Sequence, residues 1–234
     1  MIDTAAVRAR LADVRARIER AAGRAGRDPA SVRLIAVSKT FSADYVRAAA
    51  DAGQIDFGEN KVQEALPKID QTSDLPLRWH LVGHLQSNKA KKAGRFDVVH
   101  SIDNALLLTK VDEAALAAGR RLDALIQVDL AEEATKHGAP EADLPAIFAA
   151  ARGARSTSIV GLMLLPPAVE DPGGARPYFQ ALRAVRDRLL AHGVEPACLN
   201  ELSMGMSHDF EVAVEEGATL VRVGTAIFGS RSYV

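Results

Sequence analysis

The run Arg33-Leu-Ile-Ala-Val-Ser38, with Lys39 directly behind it, sets a pattern that the rest of the chain repeats. Leu34 to Val37 is apolar, half β-branched and too short for a helix, which is how a strand buried on both faces of a parallel sheet reads. Ser42 then caps a predicted helix to about Ala52, Gly53 closes it, and Ile55-Asp-Phe57 is a second short strand before Gly58-Glu59-Asn60. The same alternation continues. A helix to about Ile69 precedes a third strand, Trp79-His-Leu-Val-Gly83; a basic helix around Asn88 to Ala93 precedes a fourth, Asp97-Val-Val-His-Ser101. Asp103 is placed to cap a helix carrying Leu106, Leu107, Val111 and Leu116, and Leu122 to Leu130 reads as the fifth strand. Glu141 to Arg152 is helical, Ser158-Ile-Val-Gly-Leu-Met-Leu164 the sixth strand, and Phe179, Leu182, Val185 and Leu189 mark a helix ending near Gly193. Cys198 to Leu202 is the seventh strand; Ser207 caps the next helix, and Thr219-Leu-Val-Arg-Val-Gly224 is the eighth.

Upstream, Val7, Leu11, Val14 and Ile18 recur at helical spacing. The arginines at 8, 10, 15, 17, 20, 24 and 27 look like a transit peptide, but Asp3, Asp13 and Glu19 interrupt them, so residues 1–28 are predicted as an amphipathic helix packed on the main body.

Eight strand–helix units in 234 residues, about 29 residues each and with no linker, predict one α/β domain over 1–234: a closed (β/α)8 TIM barrel with an extra N-terminal helix. An open doubly wound sheet uses the same alternation, but eight units without a long edge-covering insertion favour closure. The charge balance is 29 basic against 30 acidic residues, which offers no field for nucleic acid or an anionic membrane surface. Cys198 is the only cysteine, so an internal disulfide and a cysteine-based zinc cluster are excluded and a reducing, cytoplasmic setting is expected. No apolar run reaches the roughly 18 residues of a spanning helix.

In such a barrel the reacting groups sit at the C-terminal ends of the strands. Here those ends read Ser38-Lys39-Thr40, Gly58-Glu59-Asn60, Gly83-His84, Ser101-Ile102-Asp103, Asp129, Met163, Ser203-Met-Gly-Met-Ser207 and Gly224-Thr225. Lys39 stands out, because desolvation at the mouth of a barrel lowers a lysine pKa and leaves a nucleophilic amine; a lysine snorkelling from a strand end is the plainer alternative. Ser203, Gly205 and Ser207 on one loop, with Gly224 and Thr225 on the next, are the small and hydroxyl residues that let backbone N–H groups hold a phosphate. Arg222 lies in an apolar strand and needs an acceptor, either a carboxylate such as Glu201 or a ligand. An amine facing a phosphate cradle fits pyridoxal 5′-phosphate or a carbonyl-bearing phosphosugar, and spacing alone leaves both open.

Ala36-Val-Ser-Lys-Thr40, Phe57-Gly-Glu-Asn60, Trp79-His-Leu-Val-Gly-His-Leu-Gln-Ser-Asn-Lys89, Gly161-Leu-Met163, Leu202-Ser-Met-Gly-Met-Ser207 and Val221-Arg-Val-Gly-Thr-Ala-Ile-Phe-Gly229 together resemble the pyridoxal phosphate homeostasis (YggS/PROSC-like) family. The resemblance implies a barrel like the N-terminal domain of alanine racemase, holding pyridoxal 5′-phosphate as a lysine aldimine. It implies Lys39 as that lysine, Arg222 facing the pyridine nitrogen, Ser203, Met204, Ser207, Gly224 and Thr225 at the phosphate, and Asn60 and Met163 beside the ring. Pro166-Pro167, and His137 before Gly138, depart from the family pattern. An arginine at the ring nitrogen disfavours its protonation and so weakens the ring as an electron sink. Tyr45, Tyr178 and Tyr233, the only tyrosines, show no claim to the role of a second acid/base. The expectation is therefore a non-catalytic carrier, with apo-enzymes that use the cofactor as candidate recipients; a weak amino-acid racemase and a phosphosugar lyase are the alternatives.

His80 and His84 are four apart, but on a strand and its loop with no third ligand in sequence, so no metal is expected. Lys89, Lys91, Lys92 and Arg95 read as a solvated face. A monomer is expected.

Overall fold

The computed structural model describes residues 2–130 and 137–229. Eight parallel strands close into a barrel in sequence order, β1 (Arg33–Val37), β2 (Asp56–Glu59), β3 (Arg78–Leu81), β4 (Val98–Ile102), β5 (Leu122–Gln127), β6 (Thr157–Met163), β7 (Glu201–Met206) and β8 (Leu220–Val223), with β8 pairing back on β1. Helices α1 (Thr4–Arg24), α2 (Ala43–Asp51), α3 (Val62–Gln71), α4 (Ala105–Ala117), α5 (Leu144–Ala151), α6 (Arg176–Ala191), α7 (Phe210–Glu215) and α8 (Thr225–Phe228) complete the order.

Alternation along the strands separates two apolar layers. Ile35, Val37, Val82, Val98, Leu125, Met163 and Leu220 pack together inside the barrel, whereas Leu34, Ala36, Phe57, Val99, Leu162 and Val221 join the larger core beneath the helices. At the N-terminal end, the first residues of four strands, or their near neighbours, form two ion pairs, Arg78–Asp123 at 2.6 Å and Arg33–Glu201 at 3.5 Å. Val7, Leu11, Val14 and Ile18 bury one face of α1 against α2, α7 and α8, and the arginines tie it down: Arg15 donates to the carbonyls of Ala52 and Gly53, and Arg17 pairs with Glu211 at 2.8 Å.

Four local expectations need correction. The basic stretch after β3 is a 3-10 segment, Ser87–Arg95, rather than an α-helix. Asn104, not Asp103, caps α4, its side chain accepting the Leu107 N–H at 2.8 Å. The seventh strand begins at Glu201, because Pro196–Leu199 forms a 3-10 turn, and it continues through Ser203-Met-Gly-Met206, where Gly205 at φ +91° absorbs a register shift against β8. Helix α7 starts at Phe210 behind Asp209, so Ser207 does not cap it.

Candidate functional site

Directly after β1, the Phe41 N–H donates to the Ser38 carbonyl at 3.1 Å, closing a turn with Lys39 and Thr40 at its centre. Thr40 has φ +70°, the only positive value at a non-glycine among the described residues, and a β-branched residue holds that conformation only when its surroundings impose it. The turn leaves Lys39 half-buried at the barrel mouth, and among the described residues none accepts a hydrogen bond from its amine.

Beneath the turn lies a charged group that sequence reasoning did not single out. Glu59, fully buried at the end of β2, accepts from Lys68 Nζ and from Ser38 Oγ, both at 2.6 Å, and Lys68 also donates to the Ser38 carbonyl at 2.7 Å. Burial pushes the Glu59 carboxyl upward, and the bonds from Lys68 and Ser38 oppose it. The legible signal was Lys68 itself, three residues after Ala65 and four before Thr72 on the buried face of α3.

Across the mouth, Ser207 Oγ accepts from the Gly224 N–H at 3.1 Å and the Ala226 N–H at 3.4 Å, which joins the β7 loop to the start of α8. A side chain at Gly224 would come within 3.0 Å of the Val37 carbonyl, so glycine permits the close approach of this loop to the end of β1, just before Lys39. Thr225 is exposed at the first position of α8.

Arg222, 4% exposed, reaches along the barrel interior. It donates to Ser203 Oγ at 2.5 Å and to the Leu164 carbonyl at 2.8 Å, while Glu201, its alternative partner on sequence grounds, instead meets Arg33 and Thr219. Burial lowers the guanidinium to about 10, with Asp209 opposing, so it remains charged at neutral pH. Met163, paired with Ser203 in the sheet, faces the same interior.

Lys39, Met163, Ser203, Ser207, Arg222, Gly224 and Thr225 thus stand on β1, β6, β7 and β8 or at their C-terminal ends, around one mouth. Two residues fit the expected contacts less directly. Met204 turns its side chain into the outer core, leaving only its main chain for the mouth, and the Ser203 hydroxyl is engaged below the rim by Arg222 and by His100. Asn60 lines a cavity of about 560 Å³ with Glu64, His84, Gln86 and Lys89 beside the mouth. The histidines do not form a metal pair: His80 is buried between Asp56 and His100, whereas the partly exposed His84 stacks on His137 with ring centroids 3.6 Å apart. Among the described residues, no group of three or more His, Cys, Asp or Glu is placed to hold a metal ion.

A family model described as alanine racemase, N-terminal domain, matches residues 3–232. The chain belongs to this family. Within it, a pyridoxal phosphate homeostasis protein of Aquifex aeolicus is 41% identical over 225 residues, covering 96% of this chain and 98% of that protein. The protein of the same name in Pseudomonas aeruginosa is 44% identical over 224 residues, 95% of each. The structure of PipY from Synechococcus elongatus with PLP bound superposes with a TM-score of 0.83 at 40% identity, covering 95% of this chain and 100% of that one. Alanine racemase from Streptomyces lavendulae, at 24% identity and a TM-score of 0.72, shares the barrel; the match covers 98% of this chain and 58% of that one. No helix among the described residues is long and apolar enough to cross a membrane.

Proposed function

We propose that this chain is a pyridoxal 5′-phosphate-binding protein of intracellular cofactor homeostasis, holding the cofactor on Lys39 without turning over a substrate and releasing it to apo-enzymes. The observation that carries the reading is one mouth that presents a lysine amine with no acceptor among the described residues, a buried charged guanidinium and a glycine-permitted loop of backbone amides. The names of the homeostasis relatives and the cofactor in PipY support it.

These residues fit the cofactor. A guanidinium has five N–H donors, and two of those of Arg222 have acceptors among the described residues, so donors remain for a heteroaromatic nitrogen. The Gly224 and Ala226 amides converge on the Ser207 hydroxyl, and these groups would hold a phosphate oxygen. When bound, pyridoxal phosphate supplies an aldehyde that condenses with the Lys39 amine. Arg222 is donor-only and stays charged, so it would hold a ring nitrogen in its unprotonated form and give little support to carbanion chemistry. Met163 offers an apolar wall. Tyr45 packs its ring on Phe41 and Phe228 and Tyr178 packs on the outer core, uses that favour a carrier over a racemase; Tyr233 lies outside the described residues. We read residues 1–234 as one domain, a monomer, with the lone Cys198 suited to a reducing cytoplasm.

The test is the visible spectrum of the purified protein, before and after borohydride, with the modified peptide located by mass spectrometry. A pyridoxyl group on Lys39, lost in Lys39→Ala while the circular dichroism is unchanged, is the expected result. A colourless protein that takes up no added pyridoxal phosphate overturns the proposal.

A further inference from the structure

Below the mouth, five side chains from five strands join into one line through the barrel. Arg222 on β8 donates to Ser203 Oγ on β7 at 2.5 Å; Ser203 Oγ meets His100 Nδ1 on β4 at 2.9 Å; His100 Nε2 meets His80 Nδ1 on β3 at 2.9 Å; and His80 Nε2 meets Asp56 Oδ1 on β2 at 2.8 Å. Ser203, His100 and His80 are fully buried.

The two ends determine the direction of every bond. A guanidinium only donates, so Ser203 accepts from Arg222 and gives its single proton to the His100 Nδ1 lone pair. His100 then carries its proton on Nε2 and donates it to His80 Nδ1, and His80 donates its Nε2 proton to the Asp56 carboxylate. The reverse order would leave the fully buried Ser203 hydroxyl proton without an acceptor among the side chains of the line and would require a protonated Asp56. Both imidazoles are therefore neutral. Burial lowers both, His100 well below the ordinary range, and the cations Arg33, Arg78 and Arg222 around them act in the same sense, opposed by Asp56.

We propose that Ser203, His100, His80 and Asp56 are positioning residues that hold the Arg222 guanidinium in place and so set its donation to a ring nitrogen in the mouth. The proposal rests on the cofactor reading above, although the bond direction does not. Reversing or breaking the line frees Arg222 to turn, and a ring nitrogen facing it would then take a proton more easily.

The first arm uses the free protein. With ¹⁵N-labelled histidine, His80 and His100 should both show mainly the neutral Nε2–H tautomer at about pH 6.5, where an ordinary histidine is about half protonated; either ring charged at about pH 7, or an Nδ1–H tautomer, overturns the line whatever the cofactor does. The second arm loads the protein with ring-¹⁵N pyridoxal phosphate. In His100→Leu, which touches only the line, the dissociation constant should rise about tenfold, the scale of one hydrogen bond to a charged group, and the ring nitrogen should become protonated at a pH where the parent protein keeps it bare. His100→Gln, whose amide accepts and donates in the same sense, should return both readouts to within about threefold of the parent. Unchanged affinity and ring-nitrogen state in His100→Leu overturn the positioning role. Should His100→Leu fail to fold, the same two readouts in His80→Leu decide it. No uptake by the parent protein, with the tautomers as expected, sinks the cofactor reading and the positioning role while leaving the bond direction standing.

Discussion

Lys68 and Glu59 form an ion pair in a buried site, with 10% and 0% of their side chains exposed. Removing one member of such a pair strands the other charge, whereas replacing both by apolar groups is close to neutral. Lys68→Met should therefore cost about 3–5 kcal/mol in urea unfolding, and the double variant Lys68→Met with Glu59→Met should recover most of it. At the other side of the mouth, Ser207 has a half-buried hydroxyl positioned by two backbone amides. Ser207→Ala should weaken pyridoxal phosphate binding by about 1–2 kcal/mol, read from a fluorescence titration; unchanged affinity would remove Ser207 from the phosphate site. Lys39 was legible because a charge directly behind an apolar strand is conspicuous by itself. The Ser38–Glu59–Lys68 group was not, since its members lie on three elements and each alone is an ordinary polar residue.

At the scale of the element, strand ends were harder to place than strands. The seventh strand, placed on Cys198 to Leu202, was drawn three residues early, because a short stretch of mixed polar and apolar residues does not distinguish a 3-10 turn from a ladder. What pins β7 against β6 is the approach of two backbones at Gly161, where an added Cβ would lie 1.9 Å from the Glu201 carbonyl oxygen. Gly161→Ala should lower stability by about 1–3 kcal/mol or more as the strands are forced apart. Gly153→Ala is the control: its Cβ would meet nothing closer than 3.5 Å, and a change within about 0.5 kcal/mol in the same denaturation is expected.

The molecule as a whole couples its two ends through the interior. Its N-terminal end carries two ion pairs around a cavity of about 160 Å³ that His80 also lines, its C-terminal end holds the amine and the amide loop, and two buried histidines lie between. That arrangement predicts a pH dependence. His80 and His100 have folded-state pKa values below the ordinary 6.5, so as pH falls beneath 6.5 the unfolded chain binds protons that the folded one refuses. Their contribution to stability is thus complete above pH 6.5 and is lost as pH falls towards the folded values, with a slope of at most about 1.4 kcal/mol per pH unit for each histidine. Chemical denaturation between pH 7.5 and 5.5 should show this slope, and His100→Gln should remove its share.

Strand count, the order of elements, the amphipathic N-terminal helix and the polar rim were all determined by the chain itself, because each is written in local periodicity or in residues adjacent to it. Ser203 and His100 are 103 positions apart, and His100 and His80 are 20 apart. No local pattern joins either pair; β3 and β4 are neighbours in the sheet, so His80 and His100 would meet even on an open one, but Ser203 on β7 and His100 on β4 would not. Barrel closure decides that juxtaposition: it brings β8 back to β1 and turns alternate side chains of every strand into one narrow interior, where a buried arginine must find its acceptors among residues distant in sequence.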